Sequence, residues 1–210
     1  MKAILIFIAF LSGTNVFCQA PCNCIATTQQ SHQQRTEAKH EENYDAFAEK
    51  QDTITVNYIY KWQKKYAAVT NTITIGAGSA NSARQPDTPE DSMYTLKGYL
   101  WFVKTEDNDC DFHIEIGPKN VLGVRIVVEV PKENKELQKK IKAHLDSLHL
   151  KILNCGTSST KTAHYDKPLK CVVTGLGFYD ASHKPNTKHG DVHTKIYSWE
   201  LHPVKDIEFL

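Results

Sequence analysis

The chain has 210 residues, with 25 Lys+Arg against 24 Asp+Glu. Without Lys2 the balance is 24 to 24, so no global field draws the protein onto polyanions or acidic membranes. Generic nucleic-acid coating, which rests on phosphate neutralisation, is disfavoured.

The N-terminus comes first. Lys2, an apolar run over residues 3–11 and a small-residue exit at Ala20 have the three parts of a cleavable signal peptide spanning residues 1–20. The run is shorter than the roughly 20 apolar residues that a bilayer requires. No later stretch is apolar enough either, so export to the periplasm or beyond is expected, with no transmembrane segment. A lipid anchor on Cys18 competes with cleavage at Ala20, but Phe17 is bulky where a lipoprotein signal has a small residue.

Residues 21–91 read as a polar arm, short strands and a linker. Gln, Glu, His and Lys dominate residues 27–49, which reads as either a solvated helix or a flexible arm. Ile54, Val56, Tyr58 and Tyr60 alternate with polar residues and predict a strand, as do residues 70–75. Residues 76–82, rich in Gly and Ser, predict a loop or linker.

The main domain is expected over residues 92–210. Leu96, Gly98, Leu100 and Phe102 alternate with Lys97, Tyr99, Trp101 and Val103 in a first strand. Phe112, Ile114 and Ile116 alternate with Asp111, His113 and Glu115 in a second. Val124, Ile126, Val128 and Val130 alternate with Arg125, Val127 and Glu129 in a third, stopped by Pro131. Leu137, Ile141, Leu145 and Leu148 fall at helical spacing and predict an amphipathic helix over residues 132–150. Residues 172–179 and 196–204 predict two more strands. Three strands, one main helix and two strands is the order of a five-stranded oligonucleotide/oligosaccharide-binding (OB) barrel, so the expected fold is mostly β, an OB-like barrel preceded by a polar N-terminal arm.

Six cysteines are present, and export favours disulfides. Cys155 and Cys171 flank a polar stretch and form the preferred pair, with Cys110 joined to the Cys22/Cys24 arm or left free. A bridge between Cys155 and Cys171 would pin the helix exit against the fourth strand.

Residues 109–116 (DCDFHIEI), 126–131 (IVVEVP), 173–180 (VTGLGFYD) with His183 and His189-Gly190, and Trp199-Glu200-Leu201-His202-Pro203-Val204 carry a resemblance. Over residues 89–209 the chain resembles a family of small secreted bacterial proteins. The segment between Gly190 and Trp199 departs from the short Gly- and Asn-rich connection of that family. The resemblance implies an OB-like barrel and brings no reaction with it.

Strand alternation yields the first group of site candidates. If Phe112, Ile114 and Ile116 face the core, Asp111, His113 and Glu115 share the other face, joined there by Tyr99, Trp101, Arg125 and Glu129. Aromatics beside charge can stack a sugar or a base; carboxylates beside an imidazole can hold a metal or share acid/base work. Ordinary cross-strand ion pairs, such as Arg125 with Glu115, account for the same pattern. A second group gathers Asp180, His183, His189, His193, Glu200 and His202, as a site or as a hydrogen-bonded closure of the barrel. No nucleophile elbow, dinucleotide fingerprint or dedicated metal motif appears, so no resident cofactor is expected.

The leading functional expectation is an exported binding module for an oligosaccharide or a protein partner, favoured over nucleic acid. The alternative is a metal-dependent hydrolase, phosphodiesterase-like, built on Asp111, His113, Glu115 and Glu129 with Arg125 opposing developing charge. An adaptor that docks through residues 22–50 is a third.

Overall fold

The structure, a computed structural model, describes residues 41, 43–66, 84, 86–106, 109–120, 124–154, 164–180, 195–196 and 198–210. The signal segment, Cys22, Cys24, the strand expected at 70–75, the linker at 76–82, Cys155, His183, His189 and His193 lie outside the described residues.

The chain forms β1 (Ala48–Thr55), helix α1 (Val56–Lys65), β2 (Ser92–Thr105), β3 (Phe112–Gly117), β4 (Val124–Val130), helix α2 (Lys135–Ser147), β5 (Leu169–Tyr179), β6 (Lys195–Ile196) and β7 (Trp199–Phe209). Neighbours in the sheet run β1-β2-β3-β4-β7-β5, and β2 also pairs with β5. That last pairing closes β2, β3, β4, β7 and β5 into a five-stranded barrel, which removes the unpaired edges an open sheet would expose. The fold is mostly β with α2 between the third and fourth barrel strands, as an OB-like barrel requires. Leu96, Leu100, Ile114, Ile116, Ile126, Val128, Val173 and Leu201 fill the interior, each fully buried.

Three local expectations are corrected. Residues 54–60 are not a single strand: β1 ends at Thr55 and α1 begins at Val56. Val56, Ile59 and Trp62 are the buried positions, at helical spacing, whereas Tyr58 and Tyr60 are exposed. The period that buries apolar surface against the barrel overrides the strand-like alternation. Trp62 packs on Tyr94 at 4.8 Å and on Trp199 at 5.6 Å.

Second, the alternation of β2 breaks at Trp101. Leu100 pairs with Ile116 and Phe102 with Glu115, so Trp101 is the extra residue of a bulge. The bulge puts Trp101 and Phe102 together on the outer face and turns Val103, opposite Ile114, into the core.

Third, α2 stops at Ser147 and Leu148 is left exposed, while His149 adopts φ 56° where a glycine would ordinarily end a helix. Asn134 caps the other end by accepting from the Leu137 amide at 3.2 Å.

The expected Cys155–Cys171 bridge is also overturned, because Cys171 is a free, buried thiol. It pairs with Phe209 of β7 and Gly98 of β2 inside the closed barrel, so it packs as a small apolar core residue. Of the two described cysteines, Cys110 is disulfide-bonded. It sits at φ 66°, and its carbonyl accepts from Gln138 Nε2 of α2 at 3.2 Å.

Candidate metal centre on the outer face of the barrel

The site follows from two pairings. His113 of β3 lies opposite Glu129 of β4, and Val128 of β4 lies opposite Leu201 of the parallel strand β7. With Val128 and Leu201 pointing inward, their neighbours Glu129, Glu200 and His202 must point outward, onto one face with His113. Two groups of residues some 70 positions apart in sequence become one. Asp111 enters just before β3, with its Oδ1 accepting from the Lys132 amide at 2.9 Å.

Both imidazoles sit among carboxylates. His113 Nδ1 is 3.1 Å from Glu106 Oε1 and 3.2 Å from Glu129 Oε1. His202 Nδ1 is 2.9 Å from Glu129 Oε2 and 3.3 Å from Glu200 Oε1, and its Nε2 is 3.4 Å from Asp111 Oδ2. Asp111 Oδ2 and His202 Nε2 are buried, and neither makes a hydrogen bond. Ligand atoms from Asp111, Glu129 and His202 lie within 4.8 Å of one another, as do those from Glu106, His113 and Glu129.

The charges do not cancel. Glu106, Asp111, Glu129 and Glu200 face His113, His202 and Lys104, whose Nζ is 2.8 Å from Glu106, and Asp180 adds its own field at Glu200. Burial disfavours a charge on His113, yet Glu106 and Glu129 raise it to about 9. Burial likewise opposes a charge on His202, but Glu129, Asp111 and Glu200 hold it well above its ordinary value. Burial, then the charge of Glu129, pushes the Glu200 carboxyl above the usual carboxylate range. Glu106, despite its own burial, is held down at about 2 by His113 and Lys104. Counted as groups, four carboxyls with Asp180 nearby face two imidazoles and Lys104, and the raised Glu200 carboxyl takes up part of that excess as a proton.

The other half of the first sequence group is built differently. Arg125 Nη1 donates to Glu115 Oε2 at 3.1 Å, and both side chains are buried. The guanidinium lies 4.6 Å from the Trp101 ring, whose Nε1 donates to the Pro118 carbonyl at 3.1 Å. His164 approaches Glu115 at 3.4 Å. Trp101 and His113 are therefore packed inside the molecule and present no open stacking platform. Tyr99 stands apart, half-buried, in a cleft of about 380 Å³ lined also by Lys97, Lys119 and Lys170.

Sequence reasoning missed Glu106, Lys104, His164 and Arg84. Lys104 and Glu106 lie just past the alternating stretch 96–103, where the pattern carries no signal. Arg84 donates from Nη1 to the Gly177 carbonyl at 2.6 Å and from Nη2 to the His202 carbonyl at 2.8 Å. It thereby fixes the backbone of β7 beneath the imidazole, where the β5–β7 register slips. Next to it, the closeness of β5 to the turn at Pro89–Asp91 needs Gly177, since any side chain there would strike the Pro89 carbonyl. No family model, curated protein or solved structure matches the chain. No helix among the described residues is long and apolar enough to cross a membrane.

Proposed function

We propose that the protein is an exported metal-dependent hydrolase whose centre is the acid-rich end of the outer barrel face. The observation that carries this reading is the facing pair Asp111 Oδ2 and His202 Nε2. Both are buried, both lack a hydrogen bond, and they lie beside Glu129 in a region with surplus carboxylates. A divalent ion that displaces the Nε2 proton of His202 would bind between these two atoms, with Glu129 holding the ring through Nδ1. Imidazole with carboxylate suits a first-row ion such as zinc or manganese. Such an ion lowers the pKa of bound water and so generates a nucleophile at neutral pH. Glu200, whose carboxyl is raised, is the group suited to exchange a proton with it. The activity is tested with bis(p-nitrophenyl) phosphate and the full mature chain, with Zn²⁺ or Mn²⁺ and after chelation. Divalent-dependent hydrolysis that is lost in Glu200→Gln is expected. An absence of hydrolysis with every ion, in protein that binds metal, would leave a metal site without this reaction.

A second reading rests on a different observation. The cleft beside Tyr99 gathers three lysines and no acid among its lining residues, and its size suits a small ligand. An acidic oligosaccharide that stacks on Tyr99 fits it. A glycan array on wild type and Tyr99→Ala distinguishes the two readings: loss of acidic-glycan binding with hydrolysis intact supports the cleft, and silence of the array removes it.

A further inference from the structure

We infer that the cleft beside Tyr99 binds the phosphate monoester of a terminal sugar ring; this rests on the acidic-glycan reading of that cleft given above. Strand register brings the charges together. Lys97 and Tyr99 stand two residues apart on β2, and Tyr99 pairs directly with Lys170 of β5, so all three side chains leave the same outer face. Lys97 pairs with Val172, which makes Lys170 its diagonal neighbour across the ladder. Diagonal neighbours lie about 7–8 Å apart. Tyr99 also pairs with Gly117 at the end of β3, and Lys119, two residues further on, lines the cleft as well.

This concentration of charge has no internal counterweight. No lining residue is acidic, and none of the three lysines is ion-paired among the described residues. Lys104 and Lys140, by contrast, each have a carboxylate at 2.8 and 2.7 Å. Like charges on neighbouring strands repel and destabilise the sheet, and an anion seated between them relieves that repulsion. The start of α1 adds to the same field. Thr55, Val56 and Asn57 line the cleft, the first turn holds no acid, and the Thr55 side chain makes no cap, so the partial positive charge of the helix end is unanswered.

The type of cation selects the type of anion. Lysine ammonium groups act as point charges, whereas a planar carboxylate is gripped best by the paired N–H groups of arginine. No arginine lines the cleft. A phosphate monoester carries about −1.5 to −2 charge at neutral pH on three terminal oxygens, enough to engage several ammonium groups at once. A sulfate ester or a carboxylate brings a single charge. The volume of about 380 Å³ lies near the lower end of the roughly 300–1,000 Å³ typical of small-molecule sites. The cleft therefore takes one phosphorylated ring, its apolar face against Tyr99, rather than a length of chain.

Isothermal titration calorimetry of the full mature chain tests the inference, with chelator present so that the metal centre takes no part. The probes are glucose-6-phosphate, glucose-6-sulfate, glucuronate and inorganic phosphate. The phosphorylated sugar should bind at least about ten-fold more tightly than the other two sugars, and more weakly as salt rises. Lys97→Gln and Lys170→Gln, both at exposed positions, should each weaken its binding by about ten-fold, and circular dichroism confirms their folding. Tyr99→Ala should bind glucose-6-phosphate no better than inorganic phosphate. Equal affinity for the three acidic sugars, lost in Tyr99→Ala, overturns the phosphate assignment and leaves the acidic-glycan reading standing. Glucose-6-phosphate binding that survives both lysine substitutions places the phosphate elsewhere and overturns the inference. No binding of any acidic sugar, by titration or on the array, sinks both.

Discussion

Along the outer face of β3 and β4, Arg125 and Glu115 lie towards one end, and Glu129, His113 and His202 towards the other. Both ends are buried, and both are built from the same alternating strand positions. At the Arg125 end a fixed guanidinium meets a carboxylate and rests on an indole ring, so the chain supplies its own cation. At the Glu129 end, Glu106, Asp111, Glu129 and Glu200 crowd around two imidazoles and Lys104. The contrast separates a structural ion pair from a site that recruits an ion, although burial and residue types are alike.

The largest expected effect lies at the self-sufficient end. Arg125→Met leaves Glu115 buried without its guanidinium and should cost about 3–5 kcal/mol of stability, since breaking one side of a buried pair strands the other charge. Urea denaturation measures it, and a loss under about 1 kcal/mol would show that the two ends do not differ as described. At the recruiting end the expected cost is smaller. Glu129→Gln keeps an oxygen and the shape and relieves the crowding of carboxylates, but it withdraws a charge that holds protons on His113 and His202, so the metal-free protein should lose about 1–3 kcal/mol.

Much of this arrangement could be read from the residues alone. The alternation in residues 111–116 and 124–130 identified the face, and the helical spacing of Leu137, Ile141 and Leu145 identified α2. Two features could not be read. The bulge at Trp101 shifts Phe102 outward and Val103 inward, and nothing in the sequence marks it. The merging of Glu129 with Glu200 and His202 depends on the parallel β4–β7 pairing that closes the barrel, a long-range event with no local signature. The tyrosines at 58 and 60 misled because they mimic a strand on the exposed side of a helix. Cys155 and Cys171 were paired on sequence proximity, but Cys171 points into the barrel.

A pH titration of metal-free protein sharpens the comparison further. His113 is raised to about 9, so its contribution is complete below its unfolded value near 6.5 and is lost as pH rises through about 9. Glu106 is depressed to about 2, so its contribution is complete above about 4.5 and is lost as pH falls through about 2. The pair should therefore stabilise the metal-free protein most between about pH 4.5 and 6.5. The His113 ring signals, followed by NMR, should titrate near 9; titration near 6.5 would show that the carboxylates do not hold the proton.

The smallest effect concerns Cys171. Burial pushes its thiol up to about 12, although a backbone hydrogen bond with Leu100 pulls slightly the other way. A thiol reagent should leave it unmodified in the folded protein and label it fully in denaturant. Recovery of Cys171 in a disulfide-linked peptide would overturn its place in the core.

The central claim, that the acid-rich end recruits a cation, is tested most directly by thermal unfolding of wild type and Glu129→Gln, with chelator and with excess Zn²⁺. Saturation at about 100 times the dissociation constant adds roughly 2.7 kcal/mol to the folded state. Wild type should therefore melt several degrees higher with Zn²⁺ than with chelator, and Glu129→Gln should melt at one temperature in both. Identical melting of wild type with and without the ion would contradict the account.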